Sequence, residues 1–227
     1  MSEIRVMASA AFKPAYLELV PEFERATGHK VVTDWVSTVH MMQRLKGDES
    51  PDLVIMASDA IEELTQLGKL AAGSSVALVK SGIGVAVRKG AARIDISSGA
   101  SVKSALLAAK SIAYSTGPSG VYLVGLFQRM GIADLLQPKL KVVQGEPAAA
   151  AVARGEVEIA FQQISELLPV AGIDLLGPLP PDIQHIAVFQ AALSVRSQQP
   201  EAARALVKFF TSPAAHPVIR AKGLEPA

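Results

Sequence analysis

Four stretches of the sequence place small polar residues where an apolar, strand-like run gives way to a helix-like one. They are Ala8-Ser9-Ala10-Ala11, Val36-Ser37-Thr38-Val39, Ser115-Thr116-Gly117-Pro118-Ser119 and Gln144-Gly145-Glu146-Pro147. A helix start presents unpaired N–H groups and a partial positive charge, which suits an anion. In open α/β sheets, ligands sit outside the carboxyl ends of the strands. Two such junctions from each half of the chain, converging on one point, would hold a small oxyanion or carboxylate with neutral donors. Ser and Thr also cap helices for purely structural reasons, so the set of four carries the inference and no single member does. Lys13, His40 and Arg44 fall within the first turns after two of these junctions. Such cations suit a planar carboxylate, which Arg can grip bidentately. They equally suit solvated helix surfaces.

Motifs for covalent or metal chemistry are missing. Gly117-Pro118-Ser119-Gly120 falls short of a nucleophile elbow because the final glycine is absent. There is no phosphate loop, and Gly82-Ile83-Gly84 lacks the third glycine and following helix of a dinucleotide fingerprint. His29, His40, His185 and His216 are scattered, without the spacing of a zinc site, and there is no cysteine. No metal or cofactor is therefore expected. With 22 Lys+Arg against 21 Asp+Glu the chain has no basic excess with which to displace counterions from nucleic acid. No apolar run approaches the roughly 18–20 residues of a bilayer-spanning helix. No leader is visible at the N-terminus, so the expectation is a cytoplasmic protein if the sequence is complete, or a periplasmic one if a leader was removed.

The elements that must position the junctions read as α/β. Strand Ile4–Ala8, helix 12–27, strand Val31–Trp35, helix Val39–Leu45, strand Leu53–Met56 and a helix capped by Ser58 alternate in the manner of parallel strands with right-handed crossovers. Strands Val76–Val79 and Ile83–Val87 are expected to be joined through Lys80-Ser81-Gly82. A second α/β set follows: a helix capped by Ser101, strand Ser111–Tyr114, helix Gly120–Met130, strand Lys141–Val143, helix Pro147–Ala153 and strand Glu158–Gln162. The Pro- and Gly-rich stretch Leu168–Pro181 should be loop with short edge strands. After Ile186–Val195, the helices Pro200–Thr211 and Pro213–Lys222 suggest a return to the first lobe. That gives lobe I as 1–81 with 191–227 and lobe II as 82–190, joined by two strands that act as a hinge beside a cleft.

Several stretches, in order, resemble the periplasmic molybdate-binding proteins of ABC transporters. They are Val6-Met7-Ala8-Ser9-Ala10-Ala11, the run 23–32, Pro51-Asp52-Leu53-Val54-Ile55, Pro118-Ser119-Gly120-Val121-Tyr122, Val152-Ala153-Arg154-Gly155-Glu156 and the tail 209–215. The resemblance implies a type 2 periplasmic-binding-protein fold with two lobes, each a mixed sheet flanked by helices. It also implies a monomer that closes on a small anion and delivers it to the membrane subunits of an ABC transporter. Carried over residue by residue, the family's first serine position falls on Ala11, with Ser9 two residues earlier and Ala10 between them. The second loop matches Ser37 and Thr38, the amide after the family's proline matches Ser119, the next loop maps near Gly145, and the family's tyrosine position holds Gln163. The departures at Ala11 and Gln163 weaken molybdate as the ligand, and Lys13, His40 and Arg44, which a family that binds its dianion with neutral donors does not need, turn the reading toward an organic acid. Some relatives of this architecture look like aconitate isomerase. The enzymatic alternative is thus proton transfer on a small tricarboxylate, with His40 or Lys13 as the base.

Overall fold

The computed structural model describes residues 2–227. In chain order its elements begin with β1 (Glu3–Ala8), α1 (Lys13–Thr27), β2 (Lys30–Trp35), α2 (Thr38–Lys46), β3 (Leu53–Ala57), α3 (Ser58–Gln66) and β4 (Val76–Arg88). There follow α4 (Gly99–Ala108), β5 (Ile112–Ser115), α5 (Pro118–Arg129), α6 (Ala133–Leu136), β6 (Leu140–Val143), α7 (Ala148–Ala153), β7 (Ile159–Gln163) and α8 (Ile164–Leu167). The last are β8 (Ile173–Pro178), β9 (Ile186–Leu193), α9 (Pro200–Phe210), α10 (His216–Ala221) and β10 (Glu225–Pro226). The chain divides into two units, residues 1–81 with 187–227 and residues 82–186.

In the first unit β2, β1 and β3 run parallel, with Glu3 opposite Lys30 and Val6 opposite Leu53. β9 joins β3 in the antiparallel sense, Leu53 facing Leu193. The period-2 alternation of β1 divides its side chains between two cores. Ile4, Val6 and Ala8 enter one with α1 and α9, while Met7 enters another with Met41, Leu45, Ile61 and Leu64 of α2 and α3. α1 buries Ala15, Tyr16, Leu19, Val20 and Phe23 along one stripe, and Pro14 in its first turn costs no hydrogen bond. Phe12, Tyr16 and Phe210 meet edge-on or tilted with ring centroids 5.2–6.1 Å apart, concentrating the chain's few aromatics in this core. Each fully buried side chain of this kind contributes about 1.5–3 kcal/mol.

A buried carboxylate stitches this unit together. Asp52 is 4% exposed, just ahead of β3. Its Oδ2 accepts the Arg5 N–H at 2.9 Å. Its Oδ1 accepts from the Ser197 hydroxyl and the Gln198 and Gln199 N–H groups at 2.7–2.9 Å. Burial alone would raise its pKa, but these four hydrogen bonds outweigh it and hold the carboxyl below its ordinary value.

In the second unit β7, β5 and β6 are parallel, and β4 pairs antiparallel with β7 and β8. One core gathers Ile83, Val85, Ile112, Ile159 and Phe161 with Val102 and Leu106 of α4 and Leu123, Leu126 and Phe127 of α5. A second places Ala86, Ala113 and Ala160 of the strands against Ala148, Ala149, Ala151 and Val152 of α7. Small side chains on both surfaces let that short helix pack close to the strands.

The two-lobed mixed α/β fold is the one the resemblance implies, with local corrections. Each unit's sheet is mixed, as the resemblance implies: β2, β1 and β3 are parallel with β9 antiparallel beside β3, and β4 is antiparallel to both its partners in the second unit. Lys80-Ser81-Gly82 is not a connection, because β4 runs through it unbroken and passes from one unit into the other. The caps also differ. Ser58 is the first helical residue of α3, after Ala57, and α4 is capped by Ser98, whose Oγ accepts the Ser101 N–H at 3.1 Å. The Pro- and Gly-rich stretch contains a six-residue strand, β8. Two four-residue helices, α6 and α8, have too few residues to show a helical period in the sequence.

Candidate anion-binding site

In the first unit two of the four junctions emerge side by side, because β1 and β2 are parallel neighbours and both turn into helices at their carboxyl ends. After β1, Ser9 is 5% exposed and opens a single 3-10 turn, Ala10–Phe12, that leads into α1. Its side chain does not cap that turn, and its Oγ is buried without a hydrogen-bond partner. Ala10 is exposed and Ala11 buried. After β2, Ser37 caps α2 by accepting the His40 N–H at 3.5 Å. Thr38 is the first residue of that helix.

Lys13 ties the two junctions together. Its Nζ stands 5.1 Å from the centroid of the Trp35 ring, at the end of β2. A cation in the first turn of a helix opposes the helix dipole. Among the described residues Lys13 has no carboxylate partner to offset that. His40 is exposed at the start of α2. Arg44 lies further along α2 and is committed elsewhere. Its Nε and Nη2 reach the two Glu49 carboxylate oxygens at 2.6 and 2.5 Å, and Nη2 reaches Asp34 Oδ2 at 2.6 Å. That fork leaves Arg44 spent inside its own unit, and Glu49 is correspondingly held below its ordinary pKa by Arg44.

In the second unit the parallel order β7–β5–β6 brings the other candidates to one sheet end. β5 leads through Ser115–Gly117 into α5, where Gly117 is the cap, Pro118 follows, and Ser119 is 1% exposed with its Oγ unpartnered. Gly120 permits this packing: a Cβ there would lie 1.7 Å from the Ser115 carbonyl oxygen. The amide end of α5 can therefore press onto the end of β5 only with glycine at this position. β6 leads into Gly145, exposed and with φ +78, a left-handed backbone that glycine adopts without strain. β7 ends at Gln163, fully buried and opposite Ile83 in the register with β4.

Buried hydroxyls normally find partners, and one that does not costs about 1–3 kcal/mol of desolvation. Ser9 and Ser119 are the two buried side chains without one among the described residues, and they occupy equivalent places, each at a strand's carboxyl end where a helix begins. The arrangement in each unit can donate hydrogen bonds to negative oxygen without a metal, and no cluster of metal-ligating side chains occurs among the described residues.

Two α/β units with β4 and β9 spanning their boundaries, and with helix starts at the carboxyl ends of parallel strands, define the class of two-lobed periplasmic binding proteins. The chain belongs to the bacterial extracellular solute-binding protein family, whose profile matches residues 4–225. Aconitate isomerase from Pseudomonas sp is 38% identical over 234 aligned positions, which cover 100% of this chain and 88% of that protein. The molybdate-binding protein ModA of Azotobacter vinelandii is 28% identical over 98% of this chain and 89% of its own length. The solved periplasmic molybdate-binding protein of Azotobacter vinelandii superposes with a TM-score of 0.81 at 19% identity, covering 97% of this chain and 98% of the other. No described helix is long and apolar enough to cross a membrane.

Sequence reasoning missed two polar residues beside the second unit's candidates. Gln162 is 2% exposed and accepts the Ala148 N–H at 2.6 Å, and its Nε2 donates to Glu166 at 2.6 Å. Two consecutive glutamines closing the otherwise apolar strand Ile159–Gln163 were the available signal. Glu166, four residues on, lies in a helix too short to read from the sequence.

Proposed function

We propose that this protein is a periplasmic solute-binding protein for a small organic polycarboxylate, and that it delivers its ligand to the membrane subunits of an ABC transporter. Ser9, Ser37, Thr38 and Lys13 in the first unit and Ser119 with the α5 N-terminus in the second are the groups we assign to the ligand. The observation that carries the reading is the pair of buried, unpartnered hydroxyls, Ser9 and Ser119, each at a helix start. A buried hydroxyl at a helix start that makes no hydrogen bond to its own fold is available to a polar ligand. Lys13 supports a carboxylate over a tetrahedral oxyanion, because neutral donors suffice for the latter while an unpaired ammonium adds charge. The relative at 38% identity is named for a tricarboxylate. Arg44 is outside the assignment, since its fork is filled by Glu49 and Asp34.

A thermal-shift screen of citrate, cis- and trans-aconitate, tricarballylate, molybdate, tungstate and sulfate tests this. A ligand present at 100 times its Kd adds about 2.7 kcal/mol of stability. The carboxylates should raise the Tm, and the rise should shrink in Ser9→Ala, Ser119→Ala and Lys13→Met. A rise with molybdate and tungstate alone would refute the carboxylate assignment.

The relative at 38% identity also favours a second reading, isomerisation of a tricarboxylate by proton transfer. In that reading Lys13 or the exposed His40 removes a proton next to a carboxylate, and the helix starts stabilise the charge that develops. Incubation with trans-aconitate in D₂O, followed by NMR, separates the two. Exchange and interconversion that vanish in Lys13→Ala or His40→Ala establish an enzyme, whereas binding without exchange leaves a carrier.

A further inference from the structure

We propose that Glu166 is a proton-responsive positioning residue that acts through Gln162 on the turn ahead of α7, residues 144–147. The proposal goes beyond the anion-binding reading, whose assigned groups do not include this turn, and it stands on the hydrogen bonds that link Ala148, Gln162 and Glu166.

The geometry is a continuous chain of hydrogen bonds. Pro147 precedes α7 and has no N–H, so Ala148 supplies the first donor of the helix. That N–H goes to Gln162 Oε1 at 2.6 Å. The Gln162 Nε2 donates to Glu166 Oε2 at 2.6 Å. Gln162 is 2% exposed and its bond to Ala148 is buried, while its bond to Glu166 is part-buried. Both ends of one amide are thus engaged, and a change at the carboxyl end is felt at the helix end through a single rigid planar group.

The charged surroundings leave Glu166 to titrate on its own. α7 and β7 contain no ionisable side chain. On the other packed elements, Arg88 of β4 lies beside Gly155, and Asp174 of β8 accepts the Gly90 N–H at 2.9 Å. Near the turn, Glu146 and Glu156 are both paired with Arg154. Among the described residues no cation holds it ionised, and burial pushes the Glu166 carboxyl up to about 7, against the opposing pull of the Gln162 hydrogen bond. The residue is half-buried, and its carboxyl is engaged by the Gln162 amide.

Ionised Glu166 accepts a charge-assisted bond from Gln162, which is roughly twice as strong as a neutral one. That bond polarises the amide and strengthens its hold on the Ala148 N–H. Protonated Glu166 presents a donor and a weaker acceptor, and the hold relaxes. The start of α7, and with it the Gly145 turn, is therefore tighter above neutral pH than below it.

The test is the ¹H–¹⁵N spectrum of the full, ligand-free chain from pH 5.5 to 8.5. The Ala148 amide should follow one titration with its midpoint near neutral pH. In Glu166→Gln that titration should disappear. In Gln162→Leu, which leaves the carboxyl in place but cuts the chain of bonds, the Ala148 titration should disappear as well. A wild-type Ala148 resonance that stays flat, or one that still titrates in either variant, overturns the proposal. Failure of every carboxylate and oxyanion in the thermal-shift screen would sink the anion-binding reading and leave the Ala148 titration unaffected, so the two can fail separately.

Discussion

Asp52→Ala should be among the most damaging single changes in the first unit, although Asp52 is not a candidate ligand group. The carboxylate takes four hydrogen bonds, one from the β1 backbone and three from the segment 197–199 that opens α9. Truncation strands three backbone N–H groups and a hydroxyl around a buried position. Individual bonds to a charged acceptor are worth about 1.5–3 kcal/mol, are not additive, and are partly replaced by entering water, so the expected loss is about 3–5 kcal/mol. Asp52→Asn keeps the volume. Its amide oxygen can take the Oδ1 position and serve the three donors there, while its NH₂ faces the Arg5 N–H, so the loss should be about 1–3 kcal/mol. For a chain of this size each kcal/mol moves the Tm by about 2–4 °C, which puts the alanine variant about 6–20 °C below wild type. Urea unfolding followed by the fluorescence of Trp35, the sole tryptophan, reports the unit that contains Asp52. The pH dependence has a fixed sign. Because the folded carboxyl titrates below its ordinary value, its stabilisation is complete above the unfolded pKa and is lost as pH falls through the lower folded one. The gap between wild type and Asp52→Asn should hold from pH 5 to 8 and close below about pH 4. An alanine variant that loses less than about 1 kcal/mol with an unchanged m value, or an asparagine variant worse than alanine, refutes the account.

Three other outcomes follow from the same structure. Ser9→Ala and Ser119→Ala should leave ligand-free stability unchanged or raise it by up to about 1 kcal/mol, because each removes an unpartnered buried hydroxyl, and denaturant titration would expose any loss instead. Gly120→Ala should destabilise the second unit by about 3 kcal/mol or more, read by circular dichroism, since its Cβ would fall 1.7 Å from the Ser115 carbonyl oxygen and neither backbone can yield alone. Wild-type stability should fall as pH rises from about 4.5 to 7, because folded Glu166 holds its proton to about 7 while the unfolded group releases it near its ordinary 4.5. The expected total is about 2–3 kcal/mol, and Glu166→Gln should flatten that slope in denaturant midpoints taken across the range.

What the sequence showed and what it hid divide along a physical line. Long elements with a clear period were legible: α1 announces itself through Tyr16, Leu19 and Phe23, and β1 through Ile4, Val6 and Ala8. Periodicity records which side of an element faces the core, and burial of that side is what makes the element form. The sense of strand pairing is not recorded that way. β9 reads as an apolar run whether it lies parallel or antiparallel to β3, and only the long excursion through residues 82–186 brings it back inverted. The unbroken β4 was hidden for a related reason, since Lys80-Ser81-Gly82 has turn-like composition, whereas the partners along this strand are distant in sequence: Glu225 of β10 pairs with Lys80, and the Gln184 side chain bonds both the N–H and the carbonyl of Ile83.

The candidate site shows the same limit at the level of single side chains. Ser9, Ser37 and Ser119 are all small hydroxyls at helix starts, and residue type alone treats them alike. In the structure Ser37 caps α2, as such a serine ordinarily does, whereas Ser9 and Ser119 satisfy nothing. That difference depends on whether the hydroxyl can reach its own helix's N–H groups, a matter of one rotamer and one turn of backbone. Arg44 and Lys13 divide in the same manner. The sequence offers each as a cation following a strand-to-helix junction, but Arg44 falls in the last turn of α2, where Glu49 and Asp34 reach it, whereas Lys13 opens α1 against an aromatic ring. Net charge at a position is legible in the sequence; whether that charge is already spent is a property of the fold, and here it is what separates a structural arginine from the lysine we assign to the ligand.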